Sequence, residues 1–310
     1  MNKIISNKYT LTELKTISSH LSDINSICFL NDGRLASASS DRTIKLFDLS
    51  TYENVLTLSG HCHAVTYITQ IDNGDLVSSG YDGELKFWSL KNAKEYKTLH
   101  PSKNLINKVI AHSPMQIIIC SNDKKISVIN TKTFEIEKQM VHTRGVVSIL
   151  EVDNYLVSIC FGRQLIIWNI SDFSYRKGID DIRCTSSDGM VDIGDGMVIV
   201  GGPDCVAVVN VISAQVVSKY GYSNYFPQNV NISFVELDNK DILVGTTSCE
   251  MFVIPKNFEG KIEIGDCLKT PTKYGFVKSM KKLSDGRIVA ANDKFLTFWN
   301  INTKKKKIIN

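Results

Sequence analysis

Residues 60–89 read GHCHAVTYITQIDNGDLVSSGYDGELKFWS. Apolar residues alternate over 65–71 and run into Asn73-Gly74, a pair suited to the positive φ of a tight hairpin turn. A strand-length run at 76–79 follows. Then come a second turn at Tyr81-Asp82-Gly83 and a short run that ends on Trp88-Ser89. This is the period of two expected of short, turn-punctuated strands, and helical spacing is not sustained here or elsewhere in the chain.

The same template recurs along the whole sequence. The position of Trp88 is taken in turn by Phe47, Trp88, Ile129, Trp168, Val209, Ile254 and Trp299, spaced 39 to 45 residues apart, and all three tryptophans fall on it. Turn signals keep step 13 to 15 residues upstream: Asp32-Gly33, Asn73-Gly74, Ser113-Pro114, Asp153-Asn154, Asp195-Gly196, Asn239-Lys240 and Asp285-Gly286. Seven units of about four antiparallel strands each are predicted, in an all-β chain. Residues 12–20 match 53–61, the last strand of a unit leading into its His61 loop. The N-terminal segment therefore reads as an outer strand with no unit before it, expected to close the last unit beside 296–301. The rival for that edge is 304–310, within the segment 302–310 that reads as a basic tail or edge strand and contains Lys304-Lys305-Lys306-Lys307.

Composition narrows the class. The 310 residues carry a formal charge of +4, 43% hydrophobic and 22% charged residues, which excludes collagen, a disordered tail and a disulfide-dense miniature. A chain of this length buries enough surface to hold a core without staples, and residues 1–310 read as one domain. The first residues show no signal-peptide core, and no apolar run approaches the roughly 20 residues of a membrane helix. A cytosolic or nuclear protein without a membrane span is expected. The eight cysteines show no Cys-x-x-Cys spacing and sit mostly in strand-like runs, so they read as small buried hydrophobes.

With its Gly60-His61, Ser78, Asp82 and Trp88, the second unit resembles the WD-repeat β-propeller family, and the period across all seven units is similar. The resemblance implies a seven-bladed propeller of four-stranded antiparallel blades. It also implies a hydrogen-bonded tetrad of His61, Ser78, Asp82 and Trp88, in which Asp82 lies near His61. Other units depart from the pattern. The first has His20, Ser37 and Asp41 with Phe47. The third keeps His100 and Asp123 with Ile129. The fourth has His142, Ser158 and Trp168 but Gly162 for the aspartate, and the seventh keeps Asp293 and Trp299 without a histidine.

Of six histidines, four (20, 61, 100, 142) occupy the loop position, and His63 and His112 have no ligand spacing to each other. There is no nucleophile elbow, phosphate loop or dinucleotide fingerprint. No catalysis, cofactor or metal is expected. The family resemblance implies a scaffold that presents one propeller face to protein or peptide partners, as a subunit of a larger complex. Nucleic acid is not an expected partner. The alternatives are a propeller enzyme with its site in the channel and a phosphate- or nucleic-acid-binding propeller. Carried onto this chain, the family's partner-binding positions are Asp23, Asn25, Leu105, Asn107, Phe276 and Lys278 at the starts of inner strands. Tyr81, Phe161 and Asn122 hold the pre-turn positions. Tyr81, Phe161 and Phe276 are the expected aromatic anchors, and the aromatic loop 220–227 is a second candidate.

Overall fold

The structure, a computed structural model, describes residues 3–5, 9–203, 205–221, 233–247, 250–255, 267–269 and 275–303. Among these residues every regular element is a β-strand, and the strands form seven antiparallel sheets in sequence order. The chain is a seven-bladed β-propeller. Blade 2 shows the plan: inner strand a at Val65–Gln70, b at Leu76–Gly80, c at Leu85–Ser89 and outer strand d at Lys94–Leu99. Burial follows that order. Strand b is buried throughout, whereas the first half of strand d is exposed.

The turn signals sit between strands a and b. Gly33, Gly74 and Gly286 hold φ values of 87°, 87° and 85°, where a side chain is strained. Seven hydrophobic clusters fill the seven gaps between neighbouring blades. One packs Leu30, Ala36 and Leu46 of blade 1 on Val65, Leu76 and Trp88 of blade 2. Another packs Ile24, Leu35 and Phe47 of blade 1 on Val289, Leu296 and Phe298 of blade 7. The core is thus a ring, and no blade buries its two faces alone.

Closure uses the N-terminal strand. Tyr9–Ser18 pairs antiparallel with Phe295–Thr303, with Thr12 opposite Asn300 and Ile17 opposite Leu296. Lys3–Ile5 then adds a fifth strand to this one blade, which the four-strand expectation did not include. Tyr9 and Leu11 are buried in the cluster shared with blade 6, so the segment contributes core as well as backbone pairing. Residues 304–310, the rival closing segment, lie outside the described residues.

Candidate functional site: the channel mouth and its polar frame

In a propeller of this handedness of strand order, the d–a loops and b–c turns share one face. The histidine loops and their partner turns therefore meet there. In blade 1, His20 Nδ1 lies 2.8 Å from Asp41 Oδ2 and its Nε2 lies 2.8 Å from Ser37 Oγ. Asp41 also accepts from the backbone N–H of Leu21 and of Thr43, each at 3.0 Å. Burial raises the Asp41 pKa, but the Thr43 hydroxyl, which donates to Asp41 at 2.6 Å, the Leu21 N–H and His20 outweigh it and bring it down to about 2.

Blade 2 departs from the expected tetrad in one bond. His61 Nε2 meets Ser78 Oγ at 2.7 Å and Trp88 Nε1 donates to the same oxygen at 2.8 Å. Asp82, however, is bonded to His63 Nδ1 at 3.0 Å, and the buried His61 Nδ1 has no hydrogen-bond partner. His63 takes the place of blade 1's Ser22 and competes for the carboxylate. Burial and the nearby Lys86 ammonium lower the His61 pKa to about 4, so the ring is neutral at neutral pH.

Blade 3 corrects a further expectation. His100 does not enter the blade: its side chain is 68% exposed, while Ser102 Oγ donates to Asp123 Oδ2 at 3.0 Å. His100 precedes Pro101, which biases it toward extended backbone and passes the loop position to Ser102. In blade 4, His142 Nε2 and Trp168 Nε1 both reach Ser158 Oγ at 2.7 Å, and Gly162 leaves His142 Nδ1 without a partner. In blade 7, Gly275 occupies the loop beside Asp293, and the buried Trp299 Nε1 has no hydrogen-bond partner.

Six of the eight expected partner-binding residues meet at the channel mouth of this face. A recess of about 390 Å³ is lined by Asn25, Tyr81, Leu105, Asn107, Phe161 and Lys278, together with Thr66 and the loop Thr185-Ser186-Ser187. Tyr81 and Phe161 are 61% and 57% exposed on its rim. Phe276, 51% exposed, and Asp23 stand outside the lining, with Asp23 held by Lys278 Nζ at 2.7 Å.

Three residues of this lining, Asn25, Thr66 and Asn107, also carry a structural duty. Asn25 Nδ2 donates to Val65 O at 2.8 Å, Thr66 Oγ1 to Ile106 O at 2.6 Å and Asn107 Nδ2 to Val146 O at 2.7 Å. Each bond stitches one inner strand to the next around the mouth. Asn122 is part of the same frame, accepting from Asn107 Nδ2 at 2.7 Å.

Deeper in the channel sits Asp188, which had no sequence signal beyond the turn-forming Asp188-Gly189. It accepts from Tyr67 at 2.9 Å and Ser279 at 2.6 Å, residues of blades 2 and 7, with Lys108 of blade 3 at 3.9 Å and Lys281 of blade 7 at 4.0 Å. Burial opposes its charge, but the two ammonium groups and two hydroxyls prevail and lower its pKa. The buried Cys120 and Cys184 thiols nearby are pushed up by burial to about 12 and about 11, which keeps them protonated and unreactive. Cys62, by contrast with the sequence expectation of buried thiols, is exposed.

The opposite face carries a recess of about 610 Å³ among Phe29, Asp238, Lys282 and the turn Ser284-Asp285-Gly286. Its charges are spent on one another: Lys282 pairs with Asp238, and Arg287 Nη2 lies 2.7 Å from Asp285. The aromatic loop 222–227 lies outside the described residues.

No helix among the described residues is long and apolar enough to cross a membrane. A comparison with curated proteins finds no match. The family model described as WD domain, G-beta repeat, matches residues 11–48 and 52–89, each match ending at the strand c of blade 1 or blade 2. The chain is thus a seven-bladed β-propeller in which the segments forming blades 1 and 2 are similar in sequence to the WD domain, G-beta repeat.

Proposed function

We propose that the protein is a non-catalytic interaction platform, cytosolic or nuclear, that holds a protein or peptide partner at the channel mouth on the face of the d–a loops and b–c turns. The observation that carries this reading is the rim itself. Tyr81 and Phe161 expose rigid aromatic surface beside one recess, and a stitched polar frame fixes the backbone beneath them. Rigid aromatics on a preorganised frame bind with little ordering cost, which is why such residues anchor interfaces. The WD40 fold, commonly an interaction module, supports the same reading.

The roles divide by chemistry. Tyr81, Phe161 and Phe276 supply apolar anchoring, and Leu105 supplies an apolar wall. Lys278 and Asp23 form a charged edge that can select register. Asn25 and Asn107 hold the rim in shape, since their amide donors are engaged. The test is a variant with Tyr81→Ala, Phe161→Ala and Phe276→Ala together, used as bait against extract of the cells that make the protein. The expected result is an unchanged melting temperature and loss of the partners held by the unaltered chain. Retention of every partner by a folded triple variant would move the docking site to another surface.

A further inference from the structure

We propose that the loop-and-turn cluster of blade 2 is a zinc site, with His61 Nδ1, Asp82 and Glu84 as ligands and His63 as the fourth. One donor atom from each of His61, Asp82 and Glu84 lies within 4.8 Å of the others. A tetrahedral zinc sets its ligands about 3.3 Å apart, and rotation of the two carboxylate side chains covers that difference. His61 is 94% buried by its 6% exposure, and its Nδ1 has no hydrogen-bond partner. Glu84 Oε2 is likewise buried without accepting a hydrogen bond. The absence of a side chain at Gly80 leaves room between His61 and Asp82, since a Cβ there would stand 3.1 Å from His61 Nδ1 and 2.4 Å from Asp82 Oδ1.

The site is peculiar to this blade. Where blade 2 has His63 and Glu84, blade 1 has Ser22 and Thr43, and there Asp41 answers His20 directly. His63 Nδ1 already touches Asp82 at 3.0 Å, and its side chain is 61% exposed, so the cluster opens to solvent. His100, from the next loop, brings its Nδ1 to 3.8 Å from Glu84 Oε1. Gly83 at φ 82° permits that approach, because a Cβ there would stand 2.3 Å from Ser102 O. Ser78 supplies the outer support a metal-bound imidazole needs. With Nδ1 on the metal, His61 Nε2 donates to Ser78 Oγ along the existing 2.7 Å contact.

Imidazole and carboxylate donors together suit zinc and its neighbours over magnesium or calcium. Lys86 Nζ pairs with Glu84 Oε2 at 3.6 Å, and when Glu84 turns to the ion Lys86 keeps Glu95 Oε1 at 3.2 Å and Thr98 Oγ1 at 2.8 Å.

The experiment titrates the full chain with Zn²⁺ in competition with a chromogenic chelator and repeats it with Co²⁺ read by visible absorption. One ion per chain is expected, with a tetrahedral cobalt spectrum lacking a thiolate charge-transfer band. His63→Ser and Glu84→Thr, which install blade 1's residues, should each weaken zinc by at least about tenfold. Cys62→Ser and His112→Ala should leave it unchanged, and circular dichroism should show every variant folded. The proposal is overturned if the chain holds no zinc against the chelator, or if His63→Ser and Glu84→Thr bind as the unaltered chain does. Loss on Cys62→Ser with a thiolate band would place the ion on the thiol instead and overturn it equally. It stands independently of partner docking, since no partner enters the measurement.

Discussion

On one face of the propeller the chain reverses direction in tight a–b turns that satisfy themselves. Gly33, Gly74 and Gly286 donate their N–H groups to Leu30, Ile71 and Leu283, and Asp32 and Asp285 accept from the backbone two residues on. On the other face the chain runs through longer d–a loops, and beside local turn bonds such as Thr43 N–H to Asp41, side chains at the channel mouth bond to the backbone of the next blade's inner strand. Tyr81 and Phe161 stand exposed on that second face at the rim of the recess, and Phe276 is exposed outside its lining. The a–b turns are closed by their own backbone, whereas the channel mouth adds a frame of side-chain-to-backbone bonds between successive inner strands beneath exposed apolar anchors. Stability and binding should therefore separate by face, and the variants below test that separation.

Removing residues 1–18 should break both faces at once. It strips Tyr9 and Leu11 from the core and leaves the edge of blade 7 unpaired. The expected cost is on the order of 5 kcal/mol, from two or three large side chains, which corresponds to a drop of roughly 10–20 °C in melting temperature. Deleting residues 304–310 should change it by much less. Equal losses in a thermal scan would contradict the closure by Tyr9–Ser18.

Acid should act through the histidines of the docking face. His61 and His142 have pKa values lowered to about 4 by burial, and in the unfolded chain they return to about 6.5. Between those values the unfolded chain binds more protons, so stability is full above about 6.5, declines as pH falls toward 4, and levels below that. Each histidine contributes at most about 3 kcal/mol to the decline. His142→Gln, which can keep a bond to Ser158, should flatten the curve in denaturant melts taken across this range. A profile unchanged by His142→Gln would show that other groups carry it. Asp41 acts in a lower window. Its contribution is present above its unfolded value near 4 and is lost as pH falls through about 2.

Asp41→Ala should cost about 2–3 kcal/mol, because it strands His20 and two backbone N–H groups. Asp82→Ala should cost less, about 1 kcal/mol, since its principal side-chain partner is the exposed His63. Chemical denaturation of both variants checks the order, and the reverse order would show that Asp82 serves His61 as Asp41 serves His20. On the self-contained face, Gly74→Ala should cost about 1–2 kcal/mol through its φ of 87° alone, with open space around the new Cβ. Its partners should remain bound.

Sequence periodicity was enough to find seven blades, because turn residues and buried aromatics recur wherever a four-stranded unit must reverse and pack. The closing strand was equally legible, since 12–20 repeats the pattern of 53–61. The site was less so. Tyr81 and Phe161 could be marked by their place before the turn, yet the stitching duty of Asn25 and Asn107 depends on neighbouring blades, and no local pattern encodes it. His63 and Asp82 are 19 residues apart and meet only because a loop and a turn share one face. His100 misled because position in the repeat was right while Pro101 turned the side chain outward. Asp188 gathers blades 2, 3 and 7 from a single turn, a contact made by ring closure alone.

The most direct measurement of docking at the channel mouth is site-specific photo-crosslinking in the cells that make the protein. A photoreactive residue would replace Tyr81 or Phe161 on the mouth, or Met115 or Ile212, which are exposed on the opposite face. The account predicts discrete crosslinked partners from Tyr81 and Phe161 and none from Met115 and Ile212. Crosslinks from Met115 or Ile212 with none from Tyr81 and Phe161 would contradict it.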